Sequence, residues 1–433
     1  MFPHYCRLTL FVFVGILLIA SVANAENWPA WRGPYGDSRS SEQGLPLIWG
    51  EDTAIAWKTP LPGPGNSTPA IWDNAVFVTC QSEDKLLLLR LDKRSGKIVW
   101  TRQVGFGATR READRGDQKF HRLQNLASPS PTTDGEVVIA HFGNGDLAAY
   151  DFDGKLLWKR NLQDDHGKYT IWWGHANSPV LHGDLVISVC MQDSMAGLQE
   201  KPATSYLVAN EKKTGRLKWK TPRMTGANAE EGDSYTTPVF HKTGDQVEMI
   251  VMGGNQLDAY DPSTGKQLWK LPGLIGGRTI TGPTAVGGYV FATRGMKGAM
   301  VALKLKAGRK GELSRKDLAW RYNQGTADSC SPVVWSDLLF MISDDGIARC
   351  FDGRLGKLHW KKRLKGKYKT TPLAAEGRIY FLNQEGLCTV VSASSRYDRL
   401  AENQLDDTTL ASPAVSGGHL FIRGHKALYS VRR

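Results

Sequence analysis

The stretch that decides the fold begins at Thr237-Pro238 and closes on Ala259-x-Asp261-x-x-Thr264-Gly265-Lys266-x-x-Trp269. A hydroxyl residue and a proline open an apolar run, and a glycine turn then leads to a tryptophan. The same plan recurs on both sides of it. The opening proline returns at Pro69, Pro131, Pro179, Pro238, Pro283, Pro332, Pro372 and Pro413, each after Ser, Thr or Gly. The closing tryptophan returns at Trp100, Trp158, Trp219, Trp269, Trp320 and Trp360. A period of roughly 40–60 residues marks a repeat architecture, and it overrides the subdivision into separate domains that chain length alone would suggest.

Each unit reads as four short strands. In the fourth they are expected near 239–242, 247–252, 256–260 and 267–270, separated by the turn sequences Thr243-Gly244-Asp245, Gly253-Gly254-Asn255 and Thr264-Gly265-Lys266. One four-stranded sheet cannot bury both faces, but eight set radially cover one another, so the expected fold is an all-β, eight-bladed propeller. Proline suits the first residue of a strand, where no ladder donor is needed, and it holds the residue before it extended. After Pro413 only about three strands remain, at 414–416, 419–423 and 426–431. The missing outer strand is expected from Ile55-Ala56-Trp57-Lys58, with Trp57 as the tryptophan of the eighth blade; closure within one sheet leaves no open seam. The seventh unit carries Arg399-Leu400-Ala401-Glu402-Asn403 where its tryptophan should be.

Residues 1–25 read as a secretory signal, with Arg7, an apolar stretch from Leu8 to Ala20, and Ala23-Asn24-Ala25 as the cleavage site. The apolar stretch is shorter than the ~20 residues that span a bilayer. The expected product is an exported propeller of residues 26–433, periplasmic or extracellular, monomeric, with no stable membrane span. The formal net charge of +12 fits solvated strand edges guarded by lysine, or an anionic partner such as a polysaccharide or a membrane surface. No nucleic-acid-binding motif is present, and export argues against that partner. Beyond Cys6, the cysteines Cys80, Cys190, Cys330, Cys350 and Cys388 are odd in number and lie in apolar strand sequence. They read as small buried hydrophobes.

The motif Ala259-x-Asp261-x-x-Thr264-Gly265-Lys266-x-x-Trp269 resembles the tryptophan-docking repeat of quinoprotein-type propellers, the pyrroloquinoline quinone (PQQ) repeat. Ala209, Thr214, Gly215 and Trp219 match it with Glu211 for the acid. Asp352, Gly356, Lys357 and Trp360 match with Cys350 for the alanine. Asp92 to Trp100 and Ala149 to Trp158 match more loosely. The resemblance extends over nearly all of residues 26–433, including Trp28-Pro29-x-Trp31-Arg32-Gly33-Pro34. It implies a propeller whose tryptophans dock between blades. It does not by itself imply a bound quinone, because the family includes PQQ-dependent alcohol dehydrogenases and also non-catalytic relatives such as the propeller lipoprotein of the outer-membrane assembly machine. The dehydrogenases stack PQQ beside a disulfide of adjacent cysteines and hold Ca²⁺ with an acidic cage. Here no adjacent cysteines occur, and the acidic stretches Glu230-Glu231-Gly232-Asp233 and Gln163-Asp164-Asp165-His166 read as solvated loops. No cofactor or metal is expected, with PQQ and Ca²⁺ as the alternative.

The long segments 101–127, 159–176, 191–205 and 220–235 are expected on one face of the first four blades, where binding residues concentrate on loops held by a rigid scaffold. The candidate ligand-binding residues are His121, Arg122, Asn125, Trp172, Trp173, His175 and Tyr235, with Arg110, Arg111 and Arg115 nearby. His121 and His175 precede inner strands and are expected at the central funnel. The Lys/Arg-rich insertion 304–317 is expected on the opposite face. The function expected is a binding or assembly scaffold for a protein, a polysaccharide or another ligand. The alternative is a PQQ-dependent oxidoreductase of an alcohol or sugar, and no paired-carboxylate motif marks a glycosidase.

Overall fold

Apolar runs of four to eight residues broken by glycine turns fold into eight antiparallel sheets around one axis. The computed structural model describes residues 1, 26–112, 118–192, 204–323 and 325–433; residues 2–25 of the expected signal segment, and Arg115, lie outside them. Blade 4 runs Val239–Thr243, Gln246–Gly253, Gln256–Tyr260 and Gln267–Leu271, from the axis outward. Its second and third strands are almost wholly buried, while the outer strand alternates with solvent. That is the pattern of sheets stacked face to face.

The repeated hydroxyl-proline pair knits the inner strands into a ring. The backbone N–H of Thr68 donates to the hydroxyl of Ser130 at 2.9 Å, Ser130 to Ser178 at 2.9 Å, and Ser178 to Thr237 at 3.1 Å. The series resumes from Gly282 to Ser331 at 3.0 Å, Ser331 to Thr371 at 3.3 Å and Thr371 to Ser412 at 3.0 Å. The Thr68 hydroxyl closes the ring on the Ser412 carbonyl at 3.1 Å. Each hydroxyl therefore satisfies a buried donor of the preceding blade. The link after Thr237 is missing because Gly282 has no side chain, and a Cβ there would stand 3.0 Å from the indole of Trp31.

The tryptophans dock one blade forward. Each indole N–H donates to a carbonyl in the turn of the next blade: Trp57 to Lys93, Trp100 to Phe152, Trp158 to Lys212, Trp219 to Pro262, Trp320 to Gly353 and Trp360 to Ser394, at 2.8–3.2 Å. The motif glycine is the surface on which five of these indoles rest, and Trp360 meets the glycine-free turn at Ser394 instead. Gly265 has φ +72°, and a Cβ on it would lie 2.5 Å from Trp219, so both conformation and contact require glycine. The Asp261 carboxylate accepts from Ser263 N at 2.8 Å and the Thr264 hydroxyl from Lys266 N at 3.3 Å, which holds the turn. Thus the Ala259–Gly265 turn serves Trp219, not the Trp269 that follows it in sequence. A bulge just before the tryptophan position recurs in every pairing of third and outer strands.

Trp269 docks differently. Blade 5 has no glycine turn to receive it; residues 305–317 intervene between Met300–Lys304 and Leu318–Tyr322. The insertion reaches back to blade 4, where Gly311–Glu312 adds a parallel fifth strand with Gly311 opposite Trp269. Trp269 is 1% exposed, shares a cluster with Leu305 and Leu313, and its N–H donates to the Glu248 carboxylate at 3.3 Å.

Ile55–Pro60 pairs with Ala427–Val431 as the outer strand of blade 8, which closes the ring as expected. The residues before it do two further things. Trp49 is buried and stacks on Tyr380 at 6.3 Å between ring centroids. Tyr380 lies two strands in from Ala401, in register through Val390. Phe77, Phe291, Phe340 and Phe421 hold the equivalent place beneath Trp100, Trp320, Trp360 and Trp57 at 5.9–6.0 Å. Trp49 therefore supplies the indole that blade 7 lacks, anchored by Asn403, which accepts from Trp49 N and donates to Leu47 O. Upstream, residues 28–40 cross the axis. Trp28 exchanges backbone hydrogen bonds with Ile71, the buried Arg32 guanidinium donates to the carbonyls of Pro283 and Pro332, and Arg39–Ser40 pairs with Ala374–Ala375. This segment closes one end of the central channel.

Candidate functional site

With that end closed, the channel is a cup of about 520 Å³ that opens where outer strands lead into the next inner strands. Trp31 forms the floor. Above it stand the ring hydroxyls of Ser130, Ser178, Thr237, Thr371 and Ser412. The mouth is set by residues just upstream of the inner strands, among them His121, Trp173, Glu230, Tyr235, Arg278 and Lys369.

The charges of the wall are already matched. Arg278 contacts Glu230 at 3.5 Å and Asp328 at 3.1 Å, and Lys369 contacts Asp344 at 2.6 Å and the Ser329 hydroxyl at 2.9 Å. Trp173 donates its indole N–H to Glu230 at 3.3 Å, meets the edge of His121 at 5.8 Å and carries Lys119 over its face at 5.3 Å. Partial burial, with Lys369, Arg122, Arg278 and Arg111 nearby, lowers the His121 pKa and keeps the ring neutral at pH 7. A polar wall with its charges satisfied and aromatic faces at floor and mouth suits a neutral polar or mixed ligand better than a highly charged one.

Three of the long segments, those containing His121, Trp173 and Tyr235, meet at this mouth. Arg122 is exposed and does not line the cup. Asn125 is buried behind it, its amide donating to Asn66 at 3.4 Å. Trp172 is half-buried, with its backbone N–H on the Asp233 carboxylate at 3.1 Å and Lys119 over its ring. Asp233 itself is fully buried, so the Glu230–Asp233 stretch is not simply a solvated loop. His175 does not reach the funnel. It is buried against Tyr169 at 4.7 Å and His141 at 4.9 Å, with neither ring nitrogen hydrogen-bonded. Most of segment 191–205 lies outside the described residues. The sequence reading missed Trp31, Arg278 and Lys369. The last two precede inner strands of blades 5 and 7, where the connections are too short to attract notice, and Trp31 arrives from the other end of the chain.

A quinone with calcium, held as in the dehydrogenases, would need an oxygen cage and a disulfide of adjacent cysteines beside it. Among the described residues no three His, Cys, Asp or Glu side chains converge as a metal site. The five described cysteines are buried, unpaired and outside the funnel lining, and Arg278 and Lys369 are engaged with carboxylates. These residues do not fit the group as the dehydrogenases hold it.

The fold and its docked tryptophans define a propeller of the quinoprotein repeat class. Within that class the chain belongs to the family described as outer membrane protein assembly factor BamB, whose model matches residues 40–229, 179–346 and 310–426. It is 22% identical over 330 residues to outer membrane protein assembly factor BamB of Yersinia pestis, covering 75% of each chain. It is 27% identical over 241 residues to tetrathionate hydrolase of Acidithiobacillus ferrooxidans, covering 55% of this chain and 43% of that protein. Quinohemoprotein alcohol dehydrogenase from Comamonas testosteroni shares the fold, with TM-score 0.68 and 13% identity over 94% of this chain and 80% of that one. Among the described residues no helix is long and apolar enough to cross a membrane.

Proposed function

We propose that the chain is an exported, non-catalytic propeller that acts as a monomeric binding or assembly module and holds a protein or polysaccharide segment at its funnel mouth. The observation that carries this reading is the blind cup itself: a floor of Trp31, a wall of hydroxyls and matched charges, and a mouth framed by Trp173, His121 and Tyr235. Membership of a family described as an assembly factor supports it. The engaged state of Arg278 and Lys369 supports a role without quinone.

The experiment is site-specific photo-crosslinking in the cell that exports the protein, with the reactive side chain at position 173 and a control at the solvent-exposed Lys242. A partner trapped from 173 and not from 242 is expected, and Trp173→Ala should weaken its binding by about 1–3 kcal/mol without altering the melting curve. Equal trapping at both positions overturns the assignment of the mouth. The rival reading, an alcohol or sugar oxidoreductase, draws on the fold shared with a quinohemoprotein dehydrogenase. Dye-linked alcohol oxidation by purified protein with PQQ and Ca²⁺, at roughly 1–1000 turnovers per second, would establish that rival and overturn the non-catalytic reading.

A further inference from the structure

The outer strands place a cation after the docked tryptophan with unusual regularity, and the structure shows what most of these cations do. In blade 8 Lys58 contacts Glu51 at 3.4 Å and lies over Tyr429; in blade 2 Lys159 contacts Asp146 at 3.3 Å; in blade 3 Lys220 lies over Tyr206 at 4.7 Å. In blade 4 Lys270 contacts Glu312 at 3.0 Å. Blades 1 and 7 have Thr101 and Glu402 there. Of the cations at this position, only Arg321 of blade 5 and Lys361 of blade 6 are exposed without an ion-pair or ring partner among the described residues.

Blade 4 shows how such a position is filled. Glu312 comes in on an added strand, parallel to the outer strand, with Glu312 opposite Lys270 and Leu313 N donating to the Lys270 carbonyl at 2.7 Å. Lys361 holds the equivalent register: Trp269 faces Ala259 and Trp360 faces Cys350, each just after a bulge. No strand covers the outer edge of Leu358–Arg363 among the described residues. Residues 353–367 around it contain seven Lys and Arg and no Asp or Glu. The side chains of Lys357 and Lys361 are exposed and unpaired among the described residues, and Leu355 and Leu358 in the same stretch are also exposed.

We propose that the outer edge of blade 6 accepts an extended acidic segment of a partner protein as a fifth, parallel strand, with its carboxylates on Lys361 and Lys357. Main-chain hydrogen bonds supply the binding and the lysines select for acid, the general logic of strand addition to a free sheet edge. Lysine on an edge ordinarily keeps other strands away. Here the chain itself shows the opposite use two blades away, where Glu312 brings a strand onto Lys270.

The test uses the full exported chain and a fluorescein-labelled nonapeptide of alternating Glu and Val, read by fluorescence anisotropy. Its counterparts are the same peptide methylated on alternate amide nitrogens and vesicles of phosphatidylglycerol. The acidic peptide is expected to bind. Both amide methylation and the double change Lys357→Glu with Lys361→Glu should weaken binding by about tenfold or more, whereas Lys218→Glu on blade 3 should not. Unchanged melting of the exposed-site variants keeps the comparison clean. Equal binding of the methylated peptide, unchanged binding by the double variant, or binding of vesicles without binding of peptide would each overturn the proposal. This surface is separate from the funnel, so Trp173→Ala should leave peptide binding unchanged, and the two readings stand or fall independently.

Discussion

Trp269 shows at the scale of one residue how context redirects a motif. Its sequence environment matches the repeat most fully, yet its acceptor is a carboxylate in its own blade because the next blade lacks the receiving turn. Burial raises the pKa of Glu248, and the indole N–H opposes that rise by favouring the charged form. Trp269→Ala should cost about 3–5 kcal/mol through the cavity it leaves, measured by denaturant unfolding. A cost below about 1 kcal/mol, typical of surface positions, would contradict its burial. The paired imidazoles of His141 and His175 make a second prediction. Burial holds His141 down at about 4, and lowers His175 well below the ordinary 6.5, with His141 adding to the effect. Both are therefore neutral in the fold, while the unfolded chain protonates them below about pH 6.5. Below that pH the unfolded state binds more protons, so their contribution is complete above 6.5 and is lost as the pH falls toward 4. Between pH 7 and 5 a neutral His141 should cost roughly 2 kcal/mol, and His175 acts in the same direction, so His175→Phe should be less acid-sensitive than the native chain in unfolding free energies from urea titrations. Identical pH dependence of the two proteins would count against a neutral, buried imidazole.

At the scale of elements, blade 7 is the exception that clarifies the rule. A tryptophan on one outer strand needs a tight turn between the third and outer strands of the next blade, and that turn carries a glycine under every docked indole but Trp360. Blade 8 has no such turn, because its third strand ends at Val431 and its outer strand begins at Ile55. A tryptophan at Ala401 would have nothing to dock on, and the chain instead brings Trp49 onto Tyr380 from the segment that leads into the closing strand. Trp49→Ala should cost about 3–5 kcal/mol, as for a strand-borne tryptophan, and Ala401→Trp in that background should recover little of the loss, because its indole finds no receiving turn. Thermal melting of the single and double variants decides this. A loss below about 1 kcal/mol for Trp49→Ala would show that the gap is not filled by this ring.

At the scale of the molecule, residues 26–60 close the ring, plug one end of the channel and substitute for a missing tryptophan. Their deletion should lower stability by several kcal/mol, since a buried strand is lost, and should leave an open sheet edge prone to association. Light scattering and melting read both effects; a truncated protein that remains monomeric with unchanged melting would refute the closure argument. The sequence determined the propeller, its number of blades and the closing strand, because these follow from local signals repeated at fixed phase: a proline opening each strand set, a glycine turn, a tryptophan four residues after that glycine. It also located three long loops that meet at the mouth, through His121, Trp173 and Tyr235. Only the tertiary structure decided that Thr264-Gly265 serves Trp219 and not Trp269, that His175 turns into the core, and that Trp31, Arg278 and Lys369 join the cup. Those outcomes depend on which residues the closed ring brings together from neighbouring blades and from opposite ends of the chain, and the sequence of one repeat does not show which neighbour it will meet.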